Sequence, residues 1–187
     1  YRFQTAIYLS SQNKFEESVQ LVNSITDLNF RIRSLIYLAS KIYQKGEKQN
    51  KDVTLETLNQ SKTLISAQSE SYQKRSNYLR LANQYAIIEP NQAFEIIEPF
   101  IPTLNKVSQA NAITEEFNDL GTYRNGEFQV YFFTGFRGIF DISFDEVCQH
   151  LKVNNLERLI KFTNKIDRLD CRIALQLSII DSNKKGF

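Results

Sequence analysis

Two stretches near opposite ends of this chain repeat one another. Asn154 to Ile180 reads NNLERLIKFTNKIDRLDCRIALQLSII, and Asn13 to Ala39 reads NKFEESVQLVNSITDLNFRIRSLIYLA. Aligned without a gap, they agree at Asn154/Asn13, Glu157/Glu16, Asn164/Asn23, Ile166/Ile25, Leu169/Leu28, Arg172/Arg31 and Ile173/Ile32. Leu156/Phe15, Ile160/Val19 and Phe162/Leu21 add apolar equivalents. A duplication at fixed spacing is the mark of one supersecondary unit used more than once, so it constrains the fold more than any composition does. Each copy reads as two short helices meeting at a tight corner. The expectation is an all-α chain, an α-solenoid of antiparallel helix pairs of TPR or HEAT type, with one short β-hairpin insert.

The segments between the copies fit that frame. Phe15, Val19, Val22 and Ile25 fall on one face at helical spacing, behind Asn13 and Glu16 at the spacing of a capping box. A corner at Thr26–Asp27 starts a partner helix with inner face Leu28, Ile32, Leu35, Ala39 and Ile42, and Gly46 is placed to give a left-handed exit. A second pair is predicted over 53–67 and 70–87, where Ala82 matches Ala39. A third opens at Pro90, a residue suited to a first helical turn. Pro99 and Pro102 must kink or stop that helix, and 106–117 is its predicted partner. Tyr1 to Ser11 reads as the second helix of a preceding pair. With no Met anywhere and Tyr at position 1, the expectation is a single helical-repeat domain belonging to a fragment of a longer chain.

Residues 119–142 break the rhythm. Asn125-Gly126 is a strong hairpin signal between β-branched and aromatic residues, which predicts a β-hairpin over 121–133. Ser143 to Glu146 then forms a capping box that restarts helix at Phe144. The aromatic residues here, with Tyr123, Phe128, Tyr131, Phe133 and Phe136 foremost, are the candidate partner-binding residues. The competing expectation is that the hairpin only packs onto the helices.

The run PNQAFEIIEPFIPTLNKV, followed by YRNGEFQV, SFDEV and KFTNKIDRLDCRIALQLSII, resembles a group of uncharacterised bacterial helical-repeat proteins. There an "AFELLEP…LN" helix precedes an "RDGEL" hairpin and a closing "ADRF…E.R..ARLSIA" pair. The resemblance covers Pro90 to Ile180. Asn125 stands in place of the turn Asp, and Lys165-Ile166-Asp167 departs from the aromatic closing motif. The resemblance implies the repeat architecture and carries over no functional residue.

Charge and motifs narrow the function classes. Lys+Arg 23 against Asp+Glu 21 gives a formal charge of +2, too even to predict a phosphate-binding face, so no nucleic-acid partner is expected. No apolar run approaches the ~18 residues of a membrane-spanning helix. His150 is the only histidine, and Cys148 and Cys171 lie outside any metal or redox spacing, so no metal or cofactor is expected. Glu115-Glu116 and Asp145-Glu146 are neighbours that point apart on a helix, and the glycines of TGFRG lack the Lys-Ser/Thr of a phosphate loop. No catalytic set can be assembled. The function expected is a non-catalytic scaffold for an unidentified protein or peptide partner; the alternative is a regulatory or accessory domain of a larger enzyme. A buried seam of Leu28, Ile32, Ala39, Ala82, Ile97, Ile160, Ile166, Leu169 and Ile173 is also expected.

Overall fold

The computed structural model describes residues 1–46, 49–106, 109–110, 123–124, 127–128 and 144–181. The chain divides into two compact units, Tyr1–Glu89 and Pro90–Phe187. The described residues are helical apart from the corners and one short strand pair.

In the first unit α1 is Arg2–Ser11, α2 Phe15–Asn23, α3 Leu28–Gly46, α4 Lys51–Ser66 and α5 Tyr72–Ile88. The longest, α3, packs against both α2 and α4, and also meets α1 and α5. It can do so because its apolar stripe is wide: Ile32, Leu35, Ile36, Leu38, Ala39 and Ile42 are all buried. Each large aliphatic of that set contributes about 1.5–3 kcal/mol by leaving water. Ala6, Val22, Ile25, Leu35, Leu38 and Ile42 form one cluster, onto which Phe15, Val19, Val53 and Leu64 pack. Thus α1 to α4 share one core. Asn29 of α3 accepts hydrogen bonds from Gln68 (2.9 Å) and Asn77 (3.3 Å), which fixes α5 against α3.

The second unit opens with α6, Pro90–Ile97, which stops before a 3₁₀ turn at Glu98–Phe100. Pro99 lies inside that turn, and helix resumes over 101–106 with Pro102 at its start, so the two prolines break the helix where the missing N–H groups require. Next come α7, Phe144–Thr163, and α8, Leu169–Asp181. α7 is two helices merged across Asn155 (φ −158°, ψ 75°). Asn155 caps the second of them by accepting from the Arg158 amide at 2.9 Å. α6 and α8 both pack on α7.

The corners at Ile25 and Ile166 share their backbone hydrogen bonds. The Ile25 amide donates to Val22 and the Ile166 amide to Thr163, each at 3.0 Å. The Arg31 amide donates to Asp27 and the Arg172 amide to Arg168. The outward carbonyl is held in both cases from a neighbouring helical segment: Arg2 donates to Ser24 O, and Asn105 donates to Lys165 O. The Arg31 side chain reaches back to Ile25 O at 2.7 Å, closing the corner from inside.

The capping expectation at Asn13 is corrected. Asn13 does not cap α2; it is the left-handed residue that ends α1, with φ 63°. The Lys14 amide donates to Leu9 O and the Asn13 amide to Ser10 O, the paired bonds of a Schellman ending. Asparagine tolerates this backbone better than other residues with a side chain. Asn13→Val is therefore expected to destabilise the first unit by about 1–2 kcal/mol, and Asn13→Gly to leave it unchanged or better, in urea unfolding followed by circular dichroism. In the second copy Asn154 bonds back to His150 O, and the cap falls one residue later.

Gly46 is corrected too. It is the last residue of α3 and does not adopt a left-handed backbone. It leaves room for Asn50, whose Nδ2 would lie 2.7 Å from an added Cβ and which donates to Ile42 O at 3.1 Å. Of the predicted hairpin the described residues include one strand pair. Tyr123–Arg124 (β1) pairs with Glu127–Phe128 (β2) in antiparallel register, Tyr123 with Phe128 and Arg124 with Glu127. The rest of 121–133, like most of 106–117, lies outside the described residues.

The predicted seam divides. Ile32, Ala39, Ala82, Ile97 and Ile166 are buried, whereas Leu28, Ile160, Leu169 and Ile173 are exposed.

Candidate functional site

The sequence-predicted site can be placed only in part. Tyr123 and Phe128 are the partnered residues of the strand pair, and Tyr131, Phe133 and Phe136 lie outside the described residues. The described residues offer another aromatic surface, which the sequence reading missed. Phe30 and Tyr37 sit seven positions apart on α3, on the side opposite its Ile32–Leu35–Ala39 stripe. Phe3 of α1 lies between them, with ring centroids 5.8 Å from Phe30 and 5.7 Å from Tyr37 at interplanar angles of 70° and 66°. Both contacts are edge-to-face, an arrangement that places the positive rim of one ring against the negative face of another. One helical turn beyond Tyr37, the Lys41 ammonium stands 5.4 Å from its ring centroid.

The ledge is fixed yet open. Phe30 and Tyr37 are each nearly half exposed, and Tyr1 and Tyr8 of the same end are more so. A hollow of about 350 Å³ borders it, walled by Tyr1, Arg2, Phe3, Ile25, Thr26 and Phe30. Arg2 spends hydrogen-bonding capacity on Ser24 O and so holds the corner beneath the hollow. Rings held by one another lose little rotamer freedom when something docks on them. The arrangement can accept an apolar or aromatic side chain, with a cation beside it for a carboxylate. The signal was present in the sequence as two aromatics on the polar side of an amphipathic helix.

A second hollow, about 450 Å³ and shallower, follows one side of α4 along Asp52, Glu56, Asn59, Gln60 and Thr63. Two of its members are committed elsewhere: Asn59 accepts from the Tyr85 hydroxyl at 2.7 Å and Gln60 from Asn23 at 3.2 Å. Burial pushes Tyr85 up to about 12.

The residues considered for chemistry are scattered. Cys148 and Cys171 are buried and not joined in a disulfide, and His150 is exposed on α7. Among the described residues no group of three His, Cys, Asp or Glu side chains could hold a metal ion. Glu70 and Glu157 lie below the ordinary carboxylate range. The hydrogen bond and charge of Lys74 do this for Glu70, which lies just ahead of α5, and those of Lys161 do it for Glu157 as an exposed i,i+4 pair on α7. Among the described residues no helix is long and apolar enough to cross a membrane. No family model matches the chain, and no curated protein and no solved structure matches it either.

Proposed function

We propose that the protein is a non-catalytic scaffold, an α-solenoid of antiparallel helix pairs that binds a protein or peptide partner. The observation that carries this reading is the ledge of Phe3, Phe30 and Tyr37: three rings in edge-to-face contact, Phe30 and Tyr37 nearly half exposed, with Phe3 and Phe30 walling a hollow. Exposed aromatics held rigid in a small cluster concentrate binding energy, because they add contact area at little entropic cost. The contacts of α3 with α1 and α5 on one hand, and with α2 and α4 on the other, support the stacked-pair architecture.

Affinity capture with the whole chain, quantified by mass spectrometry, tests the reading. A Phe30→Ala/Tyr37→Ala double variant is expected to lose specific partners at least tenfold while its melting temperature stays within a few degrees of wild type. Equal recovery by the two proteins would overturn the reading.

A further inference from the structure

The helices that build the aromatic ledge carry one sign of charge. Neither α1 nor α3 contains an Asp or Glu, whereas together they carry Arg2, Arg31, Arg33, Lys41 and Lys45. Two of these hold backbone carbonyls: Arg31 that of Ile25, and Lys45 those of Ser10 and Ser11. Arg2, Arg33 and Lys41 are exposed. Asp27 directly precedes α3, but its carboxylate is spent on the Phe30 amide, which donates to it at 2.6 Å.

Cations stand at both ends of the rings. At one end Arg2 walls the hollow of about 350 Å³ together with Phe3 and Phe30. One of its guanidinium donors goes to Ser24 O, and a guanidinium has several. At the other end the Lys41 ammonium lies 5.4 Å from the Tyr37 ring centroid and donates to Gln44 at 3.2 Å. An ammonium likewise carries more donors than that one bond uses. From Phe30 to Lys41 the surface runs about 16 Å along the α3 axis. About five residues of extended chain cover that length.

The charge decides what can lie there. A wholly apolar segment docked on Phe30 and Tyr37 would strip water from Lys41 and Arg2 and offer them no counter-charge, which is costly. A purely acidic segment would leave the rings and the hollow unused. We propose that the Phe3–Phe30–Tyr37 ledge binds an extended acidic segment of a partner protein, in which Asp or Glu residues flank an apolar side chain. The apolar side chain enters the hollow against Phe3 and Phe30, and the carboxylates meet Arg2 at one end and Lys41 at the other. The inference rests on the scaffold reading above and names the chemistry of its partner. Single-stranded nucleic acid also pairs rings with cations, but a formal charge of +2 is too even for a polyanion.

The test pans the whole chain against displayed random peptides of about ten residues, long enough to span the ledge. Clones that the Phe30→Ala/Tyr37→Ala variant also binds are removed. The ring-dependent clones that remain are expected to carry Asp or Glu on both sides of an aromatic or branched aliphatic residue. In fluorescence anisotropy, a synthetic peptide of the leading clone should bind Lys41→Glu about tenfold more weakly or worse, and Lys41→Arg as it binds wild type. Replacing its acids by Asn and Gln should weaken it as much, and added salt should weaken the acidic form alone. Lys41 is exposed, so the melting temperature of Lys41→Glu should stay near that of wild type. Ring-dependent clones without an excess of acid, or acidic clones that Lys41→Glu binds undiminished, overturn this inference and leave the scaffold reading standing. A library with no ring-dependent clone overturns both. Ring-dependent binding of a thymidine oligonucleotide, with no acidic clone recovered, would make nucleic acid the occupant and overturn the inference also.

Discussion

Phe94→Ala is expected to destabilise the Pro90–Phe187 unit by about 3–5 kcal/mol, the range for removing a large buried aromatic side chain. Phe94 is fully buried on α6, beside Ala93 and Ile97, which are buried too. Its ring is also a seat: the Arg158 guanidinium lies 4.4 Å from the ring centroid. Arg158 projects from α7 and pairs with Glu98 at 3.0 Å. One ring therefore joins α6, the turn after it and α7. Truncation opens a cavity and removes the surface that orients the ion pair, whereas Phe94→Leu keeps most of the volume and should cost much less. The ion pair itself is a third exposed on each side and contributes little alone. In thermal unfolding of a unit this size, Phe94→Ala should lower the melting temperature by roughly 15 °C or more. A shift of only a few degrees would mean that α6 is held to α7 by something other than this ring.

The second large effect is alkaline. Tyr85 is fully buried on α5, and its hydroxyl donates to Asn59 of α4. Its pKa is pushed up to about 12 by burial, against about 10 in the unfolded chain. Between those values the unfolded state gives up the proton while the folded state keeps it. The folded state then binds more protons, so stability falls as pH rises, by about 1.4 kcal/mol per pH unit. The contribution is intact below pH 10 and is lost across the window from 10 to about 12. Other tyrosines and lysines titrate there too, so the measurement is a difference between proteins. Urea unfolding of wild type and Tyr85→Phe should give a gap that is constant from pH 7 to 9.5. Above pH 10 the wild type should lose stability relative to the variant. Parallel curves through pH 11.5 would show that Tyr85 ionises without unfolding the first unit.

Much of the fold was legible because its causes are local. Pro90 opens α6 and Pro99 ends it for reasons contained in the proline ring. The corner at Thr26–Asp27 follows from an Asp that can cap: its carboxylate accepts from the Phe30 amide at 2.6 Å. Arg31, one turn into α3, bonds through its side chain to the Ile25 carbonyl of the corner. The helical periodicity of 154–180 is likewise real, down to matching hydrogen bonds at Ile25 and Ile166.

Other features had no local cause to read. Asn13 could serve as the cap of α2 or as the left-handed end of α1. Competition between the two helix ends decided it, since α1 gains two backbone bonds when Asn13 turns left-handed. The aromatic ledge needed Phe3, which is distant in sequence from Phe30 and Tyr37 and reaches them only because α1 lies against α3.

The sequence by itself determined that the described segments form amphipathic helices and that one corner falls at Thr26–Asp27. Only the tertiary structure decided which apolar sides are buried. Ile32 and Ile173 are the same residue in the same place on twin helices, yet one is 0% and the other 40% exposed. Periodicity is a property of one helix, whereas burial is a property of its neighbours, and α3 has α4 and α5 beside it. That difference left Ile32 in the core and Ile173 at the surface.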